Sequence, residues 1–138
     1  MKTLGIDHGE ARIGLALSDD LGMLAHPLET IAVRETAPIP RIAEVVTREK
    51  VTQIVLGLPR NMDGTYGPAA EKIRAFAEQL RAAVSCPVQL WDERLTSVAA
   101  QRALHESGRN AKQSRSVIDQ VAAQLILQGW LDSQEMQL

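Results

Sequence analysis

A single cysteine, Cys86, excludes an intramolecular disulfide and any cysteine-rich zinc site. It precedes Pro87, where a buried structural thiol is expected rather than redox chemistry. Aromatic residues are also scarce: two tryptophans, one tyrosine and one phenylalanine provide no extended platform for stacking bases. No continuous apolar run reaches the length of a membrane span, and the N-terminus lacks the basic-then-apolar pattern of a secretory signal. The expectation is a cytoplasmic protein without membrane attachment. Positive charge is not in surplus either. A formal net charge of −2 argues against a protein that coats nucleic acid over its whole surface, but it leaves room for a local basic patch.

What is present suits one globular domain. The 138 residues, 45% hydrophobic and 23% charged, are enough for a proper core and too few for two full lobes. A single domain is expected over residues 1–131, with 132–138 polar enough to form a disordered tail.

The first twenty residues organise the rest. The run Leu4-Gly5-Ile6 ends on Asp7, a turn follows at His8-Gly9-Glu10, and a second run resumes at Arg12-Ile13-Gly14-Leu15-Ala16-Leu17. This is the signature of a β-hairpin. Strand side chains alternate, so Leu4 and Ile6 share one face while Thr3, Gly5 and Asp7 share the other; Ile13, Leu15 and Leu17 likewise separate from Arg12, Gly14, Ala16 and Ser18. Asp7 thus ends a strand on a face kept small by glycines, where a ligand, a metal or another backbone can come close. A turn aspartate bonded to the following amides is the plainer alternative.

Further along, residues 23–33 suit a third strand at a sheet edge, because Pro27 interrupts them. Residues 37–50 carry Ile39, Ile42, Ala43, Val45 and Val46 at helical spacing, with prolines in the first turn. Residues 53–57 form a continuous apolar run that reads as a central parallel strand. The loop 58–68 follows the carboxyl end of that strand, the edge at which ligands collect in parallel sheets. A helix is expected over 69–84, a strand over 87–93, a helix capped by Thr96 or Ser97 to about His105, a polar loop over 106–113, and a last helix over 114–131. On that last helix Gln120, Gln124 and Gln128 cluster as the wet face, while Asp119 falls with Ala122, Ala123, Ile126 and Trp130 on the packing side. An acid beside alanines that permit close approach can reach a strand-end carboxylate such as Asp7. A helix-starting carboxylate favoured by the macrodipole is the alternative.

A third acid comes from Trp91-Asp92-Glu93-Arg94. Asp92 and Glu93 point to opposite faces of a strand, so only one can join Asp7, and spacing alone leaves the choice open. Three carboxylates make a hard-oxygen site for Mg²⁺ or Mn²⁺. Such a site can hold two ions about 3.5–4 Å apart, activating water and stabilising the leaving oxygen of a phosphodiester. The three histidines lack zinc-site spacing; His8 lies close enough to Asp7 to contact the site or the substrate, but it reads rather as a solvated turn residue.

Four segments in order, Gly5-Ile6-Asp7-His8-Gly9 with Arg12-Ile13-Gly14 and Ser18-Asp19, Gly57-Leu58-Pro59 with Asn61-Met62-Asp63-Gly64-Thr65, Asp92-Glu93-Arg94-Leu95-Thr96, and Ile118-Asp119 with Ala122-Ala123, resemble the YqgF/RuvX family of bacterial proteins. The family is described as Holliday-junction resolvases and as the nuclease that matures the 5′ end of pre-16S ribosomal RNA. The resemblance covers residue 2 to about residue 131. It implies an α/β, RNase H-like fold: a five-stranded mixed sheet, antiparallel hairpin strands first and parallel strands after, flanked by helices. It also implies that Asp7, Glu93 and Asp119 are the catalytic, metal-holding carboxylates, choosing Glu93 over Asp92. The one small departure is Ser97, where the family more often has threonine.

The function implied is metal-dependent hydrolysis of a nucleic-acid phosphodiester, in a ribosomal RNA precursor or in a branched DNA. Of the cations in or beside the motifs, Arg12, Arg60, Arg94, Lys112 and Arg115, those expected to contact phosphates are Arg94, Lys112 and Arg115. A resolvase cutting a two-fold junction is expected to dimerise, since two cuts need two sites. Two rivals stand beside this reading. An actin-like or sugar-kinase ATPase shares the hairpin but needs two lobes, and a non-catalytic nucleic-acid or ribosome-associated module need not keep three acids.

Overall fold

The alternation of side chains along the first strand divides the molecule into two packing faces. The computed structural model describes residues 1–59, 63–92 and 111–135, apart from the side chains of 111–118 and 135. Strands β1 (Lys2–His8), β2 (Arg12–Ser18), β3 (Ala25–Ala32), β4 (Val51–Leu58) and β5 (Val88–Asp92) form one sheet in the order β3-β2-β1-β4-β5. β1, β2 and β3 pair antiparallel, whereas β4 pairs parallel to β1 and β5 parallel to β4. The carboxyl ends of β1, β4 and β5 therefore share one edge. Helix α1 (Pro38–Glu49) joins β3 to β4, α2 (Pro68–Ala83) joins β4 to β5, and α3 (Ala111–Glu135) follows.

Leu4, Ile6, Ile13, Leu15, Ile54 and Leu56 are buried against Ile42 and Val45 of α1 and Ile73, Phe76, Ala77 and Leu80 of α2. On the opposite face α3 lies along β2, β1, β3 and β4. Ala16, Ala123 and Leu127 pack together there, as do Val55, Ala122 and Ile126. Ile126 and Leu127 are fully buried, each contributing about 1.5–3 kcal/mol of hydrophobic stabilisation. Gly5 makes this close packing possible: a Cβ there would stand 2.6 Å from the Cβ of Leu127 and 3.0 Å from the carbonyl of Ala123.

Two expectations are corrected. The last helix begins at Ala111 and ends at Glu135, so residues 111–113 are helix rather than loop and 132–135 are helix rather than tail. The polarity of the last turns reflects an exposed helical end, not loss of structure. The three glutamines are not a wet face. Gln128 accepts from the Ala25 N–H (2.9 Å) and donates to the Met23 carbonyl (2.9 Å); Gln124 donates to the Ala25 carbonyl (3.0 Å) and Gln120 to the Thr30 hydroxyl (3.1 Å). Gln124 and Gln128 thus satisfy the backbone groups of Ala25, at the start of edge strand β3, which would otherwise invite a further strand. Pro27 sits in β3 where its register against β2 shifts, between Leu15 and Ala16, as suits an edge.

Ser18 and Asp19 serve the hairpin rather than the chemistry. The Ser18 hydroxyl accepts from the Thr3 N–H (2.8 Å), and the Asp19 carboxylate accepts from the Met23 N–H (2.9 Å) in a turn where Gly22 takes φ 69°. That backbone donor holds the Asp19 carboxyl below its usual range. The helix expected over about 96–105 lies outside the described residues.

Candidate active site

Asp7 is the penultimate residue of β1, only 4% exposed, and pairs in register with Gly14 of β2. Paired residues of adjacent antiparallel strands project to the same face with Cα atoms about 4.5–5.5 Å apart. Gly14 has no side chain to fill that space. The backbone of Asp119 occupies it instead: a Cβ on Gly14 would collide with the Asp119 carbonyl, and the real Asp119 Cβ would be 3.1 Å away. Helix α3 thus delivers Asp119 to the glycine directly opposite Asp7. Two residues more than a hundred positions apart in sequence are thus brought to one face of the sheet, near the carboxyl end of β1.

Asp119 is also held by charge. Nε of Arg12 donates to its Oδ2 at 2.8 Å, with the aspartate side chain 16% exposed and the arginine 34%. Arg12 is the residue that sequence reasoning passed over when choosing among the cations. The signal was available: Arg12 lies two positions before Gly14 in β2 and therefore shares its face and that of Asp7.

Asp92 does not join this group by strand parity. β5 aligns Trp91 with Gly57 and Asp92 with Leu58. Leu58 belongs to the α1/α2 core, and Trp91 packs against the Val55, Ala122 and Ile126 cluster under α3. Asp92 therefore projects to the face away from Asp7. Glu93 and Arg94 lie outside the described residues. Arg115 and Lys112 lie four and seven residues before Asp119 on the backbone of α3, with side chains outside the described set. Among the described residues no three His, Cys, Asp or Glu side chains gather as a metal site. Asp7 and Asp119 supply hard carboxylate oxygens, the donor type that suits Mg²⁺ or Mn²⁺, and so fit two of the three ligands expected.

His8 behaves differently from the solvated residue the sequence suggested. It points opposite to Asp7, pairs with Ile13 across the hairpin, and rests on Phe76 with ring centroids 4.4 Å apart. Burial pushes its imidazole below the usual range, against the pull of the neighbouring Asp7. In the loop after β4, Asp63 accepts from both the N–H (2.9 Å) and the hydroxyl (2.6 Å) of Thr65, which makes it a turn-forming residue. The Arg74 guanidinium lies 4.7 Å from the centre of the Tyr66 ring and covers one face of it.

A mixed five-stranded sheet with a buried acid ending its central strand and a second acid brought in by a crossing helix defines an RNase H-like domain. The same fold is found in Thermus thermophilus RuvC in complex with a Holliday junction substrate, with a TM-score of 0.62 at 17% identity over 99% of this chain and 96% of that one. The fowlpox virus Holliday junction resolvase gives a TM-score of 0.54 at 13% identity, covering 96% of this chain and 99% of the viral one. The chain belongs to the RuvX Holliday junction resolvase family, whose model matches residues 1–133. It is 51% identical over 133 residues to a protein of Moorella thermoacetica, covering 96% of this chain and 95% of the relative. It is 48% identical over 139 residues to one of Halalkalibacterium halodurans, covering 99% of both. Both relatives bear the name "Putative pre-16S rRNA nuclease".

Proposed function

We propose that this nuclease-family chain is a metal-dependent endonuclease that trims the 5′ end of a 16S ribosomal RNA precursor in the cytoplasm. The observation that carries the site is the seating of Asp119 on Gly14, directly across from buried Asp7. Asp7, Glu93 and Asp119 hold one or two Mg²⁺ or Mn²⁺ ions. Strand parity supports Glu93, because Asp92 faces the other side of the sheet. These residues would hold the divalent cation, which would supply an activated water and offset charge on the scissile phosphate.

The protein's own part is positioning. Asp7 is held by its pairing with Gly14 and, one residue before it, by the pairing of Ile6 with Leu56, so its carboxylate needs little reorganisation when a cation arrives. Arg12 holds the Asp119 carboxylate in one orientation, the task that outer partners perform for metal-holding groups. Arg94, Lys112 and Arg115 neutralise substrate phosphates around the site, so that a chain of net charge −2 binds RNA locally. No helix among the described residues is long and apolar enough to cross a membrane. A homodimer fits the junction-cutting role that the family description names.

The RNA precursor is preferred over branched DNA because relatives at about half identity over nearly the whole chain bear the ribosomal name. The test is cleavage by the full chain, with Mg²⁺ or Mn²⁺, of a labelled RNA spanning the 16S 5′ precursor end and of a four-way DNA junction. Cutting of the RNA supports the reading. Cutting of the junction alone transfers the activity to DNA, and cutting of neither leaves a nucleic-acid-binding module.

A further inference from the structure

Across the sheet from Asp7, at the same edge, lies a cavity of about 300 Å³ that the carboxylate chemistry does not use. Its walls are apolar: Pro59 at the end of β4, Pro68 and Ala69 at the start of α2, and Ile73 one turn on. The imidazole of His8, braced against Phe76, forms one end. At the rim Nζ of Lys72 meets Oε1 of Glu10 at 2.5 Å, both side chains well exposed.

We propose that this cavity is a subsite for one nucleotide of the substrate strand adjoining the scissile phosphate, with the base between the prolines and the His8 ring and its phosphate on Lys72. The inference rests on the nuclease reading above. Three observations carry it. Asp7 and His8 are consecutive and point to opposite faces, so a strand crossing the sheet edge at Asp7 meets the cavity one nucleotide away. The volume lies at the lower limit of small-molecule sites, about 300–1,000 Å³, which suits one nucleotide rather than two. Apolar walls with one cation at the mouth among the described residues match a flat base joined to an anion. Glu10 occupies Lys72 in the absence of substrate, and an exposed pair of this kind breaks at little cost. A phosphate and Glu10 thus compete for the same ammonium.

That competition gives the test a direction. Binding of a fluorescent single-stranded RNA pentamer is measured by anisotropy in EDTA, so that no turnover is required, for the full chain and for Lys72→Met, Glu10→Gln and Ala69→Trp. Ala69 is exposed, so the indole fills the cavity without disturbing the core. The expected result is Kd raised about threefold by Lys72→Met, lowered by Glu10→Gln, and raised by Ala69→Trp, with melting temperatures near wild type and a salt slope about 0.7 smaller for Lys72→Met. Charge variants that leave Kd unchanged or shift it the same way, an Ala69→Trp that binds like wild type, or absence of pentamer binding by wild type would overturn the subsite. Failure of the nuclease reading looks different: wild type then binds the pentamer with this pattern and cuts no substrate.

Discussion

The backbone carbonyl of Asp119 rests on the Cα of Gly14 so closely that even a methyl group there would collide with it. The contact sets the height of α3 above the sheet where Asp119 crosses β2 beside Arg12. Gly14→Ala must lift the helix at that point. Overpacking of this kind costs about 1–3 kcal/mol, and the variant should melt lower and lose cleavage beyond what its stability loss explains. Gly5→Ala is the comparison. It presses on Ala123 and Leu127, one and two turns further along α3, and should cost comparable stability while sparing more of the activity.

Arg12 is expected to act through Asp119 rather than on the substrate. Arg12→Ala removes the 2.8 Å bond to Oδ2 and should lower kcat about 10–100-fold, the range found for outer partners of metal-holding groups. KM for the nucleic acid should change less. A loss confined to KM would make Arg12 a phosphate contact instead.

Gln128 joins α3 to the edge of the sheet through two bonds. Gln128→Ala leaves the N–H of buried Ala25 without its acceptor and should cost about 1–3 kcal/mol in chemical denaturation. With β3 less protected, the variant should also scatter more light at high concentration than wild type. Equal stability and equal scattering would show that the glutamines do not guard the edge.

The elements that could be read from the chain are those whose signal is local. Alternation placed Leu4 and Ile6 opposite Asp7, the prolines opened α1, and Pro27 marked β3 as an edge strand, because each follows from backbone geometry within a few residues. The packing-side position of Asp119 was legible for the same reason, since the period of a helix sets it against Gln120, Gln124 and Gln128. What those glutamines bond to was not, because Ala25, Met23 and Thr30 lie about ninety or more residues away and side-chain polarity alone does not tell water from a backbone amide. The same holds for the Arg12 and Asp119 pair, separated by 107 residues, and for His8, whose partner Phe76 belongs to another helix. The choice of Glu93 over Asp92 came from family resemblance; the pairing of Asp92 with Leu58 turns Asp92 away from Asp7, and Glu93 lies outside the described residues.

The metal requirement should be simple to see. Chelation with EDTA should abolish cleavage, and Mg²⁺ or Mn²⁺ should restore it, while Ca²⁺, larger and less demanding in geometry, supports binding without comparable turnover. Asp119→Asn should raise the metal concentration needed for half-maximal rate. Cleavage that persists in EDTA would contradict metal-dependent hydrolysis.

Asp7→Asn tests the account most directly. Replacing a buried carboxylate by a neutral amide of the same shape removes the charge that holds the cation and leaves the strand pairing in place. The measurement is single-turnover cleavage of the 5′-labelled 16S precursor RNA with Mg²⁺ or Mn²⁺, alongside thermal melting. Wild type should cut, Asp7→Asn should show no detectable cutting, and the variant should still unfold cooperatively as a folded protein. A folded Asp7→Asn that cuts at the wild-type rate would contradict it.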